Sequence, residues 1–540
     1  MLFPRILMPD EHIVVDGPKI KGGNKKMKKW YSMGITAVTV MSLLAGCGTG
    51  DKAAQSQASS PQSTGAQQTP SAKKNDPVTL KIMIPGDRPK DFDAVITEAE
   101  KRMADTLNVK LNVVFIPFSD IGQKTQVTLA SGEDVDLVFD APWVHLNQMI
   151  AANYYEPLDD LLKQYGSDIL KTRSEQMWNA NKYNGKIMAI PLSNSYYQGR
   201  VFYIRKDLRE KYGVAPIKTY DDMIAFAKVI KEKEPNIAPI ITNKGAMDWG
   251  NFRKVFDYDT HIEDTQIGTN GVLFLKNNDG KVYNMFDQMD PTVWSWITDA
   301  RKLYQDKLMY QDVLSVKDYK AEFKAGKAAI LNANDFGVNA DDAAAVKKSV
   351  NGDVEAITLF KQEKGANISN FQAWNFLALT HVSKNKERAI QFLNWTQQKD
   401  NYDLLAYGIK GKNWEPVGED QYKKLNNDYA WFPYAWIWNP TQDRYDQGLG
   451  ADTIALNKFT ANGDNFTPSK LAGFTFDPAP VSNEVAQLNT IRDKYMDPIY
   501  IGITDSQSYW DKYKSEAASA VKKIQTEMQK QIDAFLASKK

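Results

Sequence analysis

Between Pro77 and Asp140 the hydropathy pattern switches repeatedly between a period of two and a period of 3.6, and that alternation limits the fold more than any other feature of the chain. Val78, Leu80, Ile82 and Ile84 recur at every second residue, the spacing of a half-buried strand, and Pro85-Gly86 stops it. Phe92, Val95, Ala99 and Met103 then fall on one face of a helix, and "VKLNVVFIPF" reads as a second strand. Ser119 is placed to cap the next helix and Gly132 to end it, before a third, buried strand in "VDLVFD" at 135–140. Strands separated by helices of this length form βαβ units, so the fold class is α/β with a mainly parallel sheet. Such sheets bind ligands beyond the carboxyl ends of their strands, which makes the loops at 85–88 and 140–143 the expected walls of a site.

A second α/β region follows "NGKIMAIP" at 184–191. "VFYIRKDL" is strand-like, Thr219 and Asp222 form a capping box for the helix "YDDMIAFAKVIKEKE", and "APIIT" at 238–242 is the next strand. "ISNFQAWNFLALT" at 368–380 reads as a strand returning to the first region, and Ser508 to Lys540 as a long amphipathic helix. The length of 540 residues suits two to four domains or one two-lobed unit. With 67 basic and 66 acidic side chains the net charge is +1, so nothing draws nucleic acid. The four histidines have no metal-ligand spacing, and no phosphate-cradle or nucleophile-elbow motif is present, so neither metal nor cofactor is expected.

The one cysteine of the chain, Cys47, stands in "MSLLAGCGTGD". Ahead of it lie Lys25, Lys26, Lys28 and Lys29, an apolar run from Trp30 to Leu44, and the small residues Ala45 and Gly46. That order is the layout of a secretory signal peptide, and its 15-residue apolar run is shorter than the ~20 residues of a membrane-spanning helix. Leu44-Ala45-Gly46-Cys47 resembles a bacterial lipobox, in which the cysteine becomes the lipid-bearing N-terminus and its thiolate is the nucleophile. The residues at 48–76 are rich in Ser, Gln, Ala, Gly and Pro, the composition of a flexible tether. Asp10, Glu11 and Asp16 do not fit a basic leader, so the expected start of translation is Met27.

Aromatic residues are dense in "YAWFPYAWIWNP" at 429–440. In an extended chain Phe432, Tyr434, Trp436 and Trp438 would share one face. An indole offers a flat apolar face to the C–H side of a pyranose, and the same ring equally well fills a core; both readings apply to Trp431, Trp436 and Trp438. Strand ends nominate Asp87, Arg88 and Trp143, then Tyr196, Tyr197 and Arg200 in "NSYYQGR", Trp249, Asn334 with Asp335, and Trp374 with Asn375. A solvated surface is the plainer alternative for the charged members, and a core position for the aromatic ones. A surface-anchored glycoside hydrolase or lyase would share this composition, as would the same binding fold with a peptide, anion or polyamine ligand. A hydrolase would need two carboxyls about 5 to 9.5 Å apart across the bond.

Several segments, in order, carry a likeness to a known family: "LASGEDVDLVF" (129–139), "YYEPLDDLLKQY" (154–165), "NGKIMAIP", "YIRKDLREKYG" (203–213), "FKAGKAAIL" (323–331), "SKNKERAIQFLNW" (383–395) and "YGIKGKNWE" (407–415). Through them the chain resembles the extracytoplasmic solute-binding lipoproteins of ABC importers, in the large oligosaccharide-type branch of Bacillus and Paenibacillus relatives. "SKLAGFTFDPAPVSNEVAQL" (469–488) resembles a C-terminal domain of uncharacterised function found in one subgroup. The resemblance implies a two-lobed type II periplasmic-binding-protein fold with hinge crossings and an interlobe cleft. By that layout 77–194 plus 377–425 form lobe 1, and 195–376 plus 426–540 form lobe 2. It further implies a monomer held at the extracellular face of the cell membrane by lipid on Cys47. There it would capture a carbohydrate without chemistry and deliver it to membrane-embedded permease subunits. Some relatives carry a calcium loop after the corresponding helix; "KEKEPNIAPII" from 231 lacks its alternating carboxylates, so no calcium is expected there.

Overall fold

The computed structural model describes residues 75–192, 201–243, 261–265, 271–332, 340–357, 361–429 and 433–539. Two sheets organise them through nine strands: β1 (Val78–Pro85), β2 (Val109–Ile116), β3 (Leu137–Asp140), β4 (Ile190–Leu192), β5 (Phe202–Arg205), β6 (Ala238–Ile241), β7 (Ala328–Asn332), β8 (Val354–Ile357) and β9 (Asn375–Leu379). The first sheet has the order β2-β1-β3-β9-β4. β1 pairs in parallel with β2 over its whole length, from Val78 opposite Val109 to Pro85 opposite Ile116, and with β3 at Ile82 and Met83. β9 runs antiparallel between β3 and β4, with Phe376 opposite both Asp140 and Pro191. Alternation along β1 gives way at Ile82–Pro85 to continuous burial, because that end of the strand is covered on both faces.

The second sheet has the order β8-β5-β7-β6, with β7 parallel to β6 and antiparallel to β5, and β8 antiparallel to β5. Its helix Tyr220–Lys233 opens with the expected capping box: the Thr219 hydroxyl accepts from the Asp222 amide, and the Asp222 carboxylate accepts from the Thr219 amide at 2.9 Å. Such a cap contributes ~1 kcal/mol. Ser119 does not cap the helix Ile121–Ala130. A 3-10 turn at Phe118–Asp120 follows Pro117, and the Ser119 hydroxyl donates to Asp120 at 2.8 Å instead.

Each sheet lies in its own core, and among the described residues the chain passes between the cores three times. The passages run from β4 to β5, from the short strand Asn367–Ser369 to β9, and from the strand Tyr445–Asp446 to the helix Ala451–Thr460, whose Leu456 packs in lobe 2. Lobe 1 extends beyond residue 425. Tyr429 and Tyr434 to Trp438 stand in its core, and Tyr445–Asp446 pairs with its strand Gln421–Lys424. The aromatic run supplies the apolar volume that lobe 1 needs over its helices, so lobe 2 resumes only near residue 450. At the far end the helix Ser506–Ser538 packs with Ser482–Tyr500 into the lobe 2 core, where Trp510 meets Phe286 and Trp294 edge-on.

Candidate functional site

In the order β2-β1-β3-β9-β4, the chain leaves the carboxyl end of β1 toward β2 and the carboxyl end of β3 toward β4 on the other side, so these two ends flank a switch point where the loops part. Gly86 closes β1 at φ +119°, and a Cβ there would lie 3.8 Å from the Tyr434 hydroxyl. Asp87 follows, exposed. Tyr434 stacks on Phe118 with ring centres 6.2 Å apart, and burial, with the Asp87 carboxylate adding to it, pushes its phenol up to about 12. The phenol therefore stays neutral and can both donate and accept. Arg88 turns back to lobe 1's own surface: it pairs with Asp93, and its guanidinium lies 4.6 Å from the Phe92 ring centre.

At the end of β3 the Asp140 carboxylate is buried and shapes the following loop. Its Oδ1 accepts from the Ala141 amide at 2.7 Å and the His145 amide at 3.1 Å, and its Oδ2 accepts from the Tyr155 hydroxyl at 2.5 Å. Burial holds this carboxyl above its usual range, against the pull of those hydrogen bonds. The loop carries Trp143, which packs on Phe139 and donates its indole N–H to the Trp374 carbonyl at 2.9 Å. Trp374 lies on the second passage between the lobes with 38% of its surface exposed, while its neighbour Asn375 is buried and pairs with Leu192. Trp143 and Trp374, 231 residues apart, thus meet beside the crossing.

Other nominated residues lie elsewhere. Trp436 is fully buried between Phe92 and Phe392, each ring centre 6.4 Å away. Trp438 is also buried and donates its indole N–H to Asp443 at 2.7 Å. Both are lobe 1 core residues and do not face a ligand, because a 3-10 turn at Pro433–Ala435 breaks the extended phase that would have aligned them with Tyr434. Cys47, Tyr196, Tyr197, Arg200, Trp249, Asn334, Asp335 and Trp431 fall outside the described residues. Phe118 was missed by sequence reasoning, and Tyr434 was placed on the aromatic face but not nominated. Phe118 stands just past β2, so the strand-end rule that selected Asp87 would have found it. Among the described residues, no group of three or more His, Cys, Asp or Glu could hold a metal ion.

Two α/β lobes joined by three passages, with a strand inserted antiparallel into the first sheet and an exposed indole on a passage, define a type II solute-binding protein. The family model described as bacterial extracellular solute-binding protein matches residues 86–403, and the chain belongs to that family. A domain of unknown function matches residues 470–537. A carbohydrate ABC transporter substrate-binding protein of Streptococcus pneumoniae is 25% identical over 95% of this chain and 100% of its own. Among solved structures, the N-glycan transport solute-binding protein of the same organism is 22% identical, covers 86% of this chain and 100% of its own, and superposes with a TM-score of 0.70. An HMO-binding, ABC-transporter-associated solute-binding protein from Bifidobacterium longum infantis covers 86% of this chain and 100% of its own at 16% identity and a TM-score of 0.60.

Proposed function

We propose that this protein is the extracytoplasmic substrate-binding lipoprotein of an ABC importer and that it captures an oligosaccharide without altering it. The observation that carries the reading is the Trp143–Trp374 pair at the carboxyl edge of lobe 1: the Trp143 indole N–H donates to the Trp374 backbone carbonyl, and the Trp374 residue is exposed on a passage between lobes. Indoles offer flat apolar faces to sugar rings, and Asp87 with the neutral Tyr434 phenol supplies groups for hydroxyls. The printed descriptions of the relatives, which name carbohydrate and N-glycan transport, support the same class. Tyr196, Tyr197, Arg200, Trp249, Asn334, Asp335 and Trp431 complete the proposed set from their places in the sequence. Ligand favours the closed form because only there does it touch both lobes.

The protein acts as a monomer and is held at the outer face of the cell membrane by lipid on Cys47. Two acyl chains give stable anchoring where one is marginal. Replacing Cys47 by Ser should release the protein into the medium, and retention in the membrane fraction would refute the anchor. The ligand class is tested by a thermal-shift screen against oligosaccharides of mannan, xylan, pectin, glucan and alginate, with peptides and polyamines alongside. At a hundredfold excess over Kd, binding adds ~2.7 kcal/mol, which moves the melting temperature by several degrees. A shift with one glycan series, the sugar recovered intact, is the expected result. Cleavage products would refute capture without chemistry, and a shift with peptides or polyamines alone would refute the sugar reading.

A further inference from the structure

The backbone just ahead of Trp374 is strained. Phe371, 1% exposed, adopts φ +54°, a left-handed conformation that a bulky side chain rarely takes and that persists only where the surroundings over-determine it. Those surroundings come from three parts of the chain. From lobe 1, the buried Asn181 amide donates to the Phe371 carbonyl at 2.8 Å and its oxygen accepts from the Ala373 amide at 2.9 Å, gripping the passage on both sides of Gln372. Within the passage, the Ser369 hydroxyl accepts from the Phe371 amide at 3.1 Å.

The third part leads into the domain of unknown function. The strand Phe466–Pro468 pairs in parallel with Asn367–Ser369, and the Phe466 side chain joins Phe371 and Ala180 in a small apolar cluster. Gln372 donates to the Phe474 carbonyl at 3.1 Å. Gly473, at φ +84°, comes so close to lobe 1 that a Cβ would lie 3.2 Å from the Asn179 carbonyl. The same segment is tied to lobe 2: Asn278 accepts from the Lys470 amide at 2.7 Å, and Lys539, at the end of the last helix, donates to the Ala472 carbonyl at 2.7 Å.

We propose that the C-terminal domain is a positioning brace for the ligand site. The segment Phe466–Phe474, which runs from a strand ahead of the domain into its first residues, together with Asn181, holds the second passage in a strained shape and so presents the Trp374 indole in one orientation. Asn181, Gln372 and Lys539 are positioning residues that act through the passage. The inference goes beyond the binding function: it assigns a role to a domain and says how one proposed contact is preorganised.

The test uses the full-length protein labelled with 5-fluorotryptophan and fluorine NMR without ligand, the Trp374 line being assigned by its loss in Trp374→Phe. The expected result is one narrow Trp374 line that moves by more than its width, or splits, in Asn181→Ala and in Gln372→Glu, which keeps size but cannot donate to the Phe474 carbonyl. The lines of the buried Trp436 and Trp510, one in each lobe, stay in place. Lys539→Met, an exposed change at the far end of the brace, moves the Trp374 line in the same direction by less, and it with Gln372→Glu carries the test should Asn181→Ala fail to fold. An unmoved Trp374 line in the folded variants overturns the proposal, as does equal movement of all three lines. Because no sugar is present, a failed glycan screen and an unmoved Trp374 line are separate results.

Discussion

Replacing Trp374 by Ala separates a ligand contact from a packing residue. An indole side chain spans about 250 Å², and the 38% that is exposed amounts to about 95 Å². Covering most of that area with the apolar face of a sugar, at ~25 cal/mol per Å², contributes about 2 kcal/mol, or roughly thirtyfold in Kd. The carbonyl that receives the Trp143 indole N–H is backbone and survives the substitution, so the loop after β3 keeps its tie to the passage. Ligand-free stability should therefore change by less than about 1 kcal/mol, a melting shift of no more than ~4 °C in lobes of this size. Calorimetric titration with the glycan selected by the screen measures Kd, and a melt without ligand measures stability. An unchanged Kd would refute the placement of sugar on Trp374. A ligand-free loss of many degrees would mean that the ring's work is packing.

Trp436→Ala should do the opposite, lowering the lobe 1 melting transition by about 3 to 5 kcal/mol of stability through the cavity it leaves, visible by scanning calorimetry with or without sugar. Gly502→Ala should destabilise lobe 2 by roughly 2 to 5 kcal/mol, since the residue sits at φ +73° and a Cβ would fall 2.2 Å from the Ala300 carbonyl; denaturant melts would show the loss. Asp140 gives a pH signature. Burial raises its folded pKa above the unfolded value of about 3.9, so the folded state holds the proton more tightly, and the group's contribution to stability is present below that value and lost as pH rises through the folded one. The stability of the native protein relative to Asp140→Asn should decline from about pH 4 upward and then level off; a difference independent of pH would refute the assignment.

The strands at Val78–Pro85, Val109–Ile116, Leu137–Asp140, Phe202–Arg205, Ala238–Ile241 and Asn375–Leu379 were legible because their apolar spacing is local, and so was the last helix, whereas Ile190–Leu192, Ala328–Asn332 and Val354–Ile357 were not read as strands. The extent of lobe 1 was not. Whether Tyr429 to Trp438 fill a core or face a cleft depends on which lobe receives them, and no periodicity within the segment records that choice. Pro433 was the available clue, since a proline in a supposed strand favours a turn, and the turn at Pro433–Ala435 is what rotates Trp436 inward and leaves Tyr434 at the strand ends. The strand-end rule placed Asp87 and Trp143 at the edge of lobe 1, but it could not tell that Arg88 folds back on Phe92 while Asp87 does not, since that depends on Asp93 in the first turn of the following helix.

The order in which the chain completes its two cores has a bearing on how it is made. Lobe 1 lacks β9 and the Tyr434–Trp438 filling until residue 438 has been synthesised, and lobe 2 lacks the helix under Phe286 and Trp294 until residues past 510 have been. Contacts between residues this far apart form slowly and late. A chain bound for the cell exterior therefore stays without a finished core in either lobe through most of its synthesis.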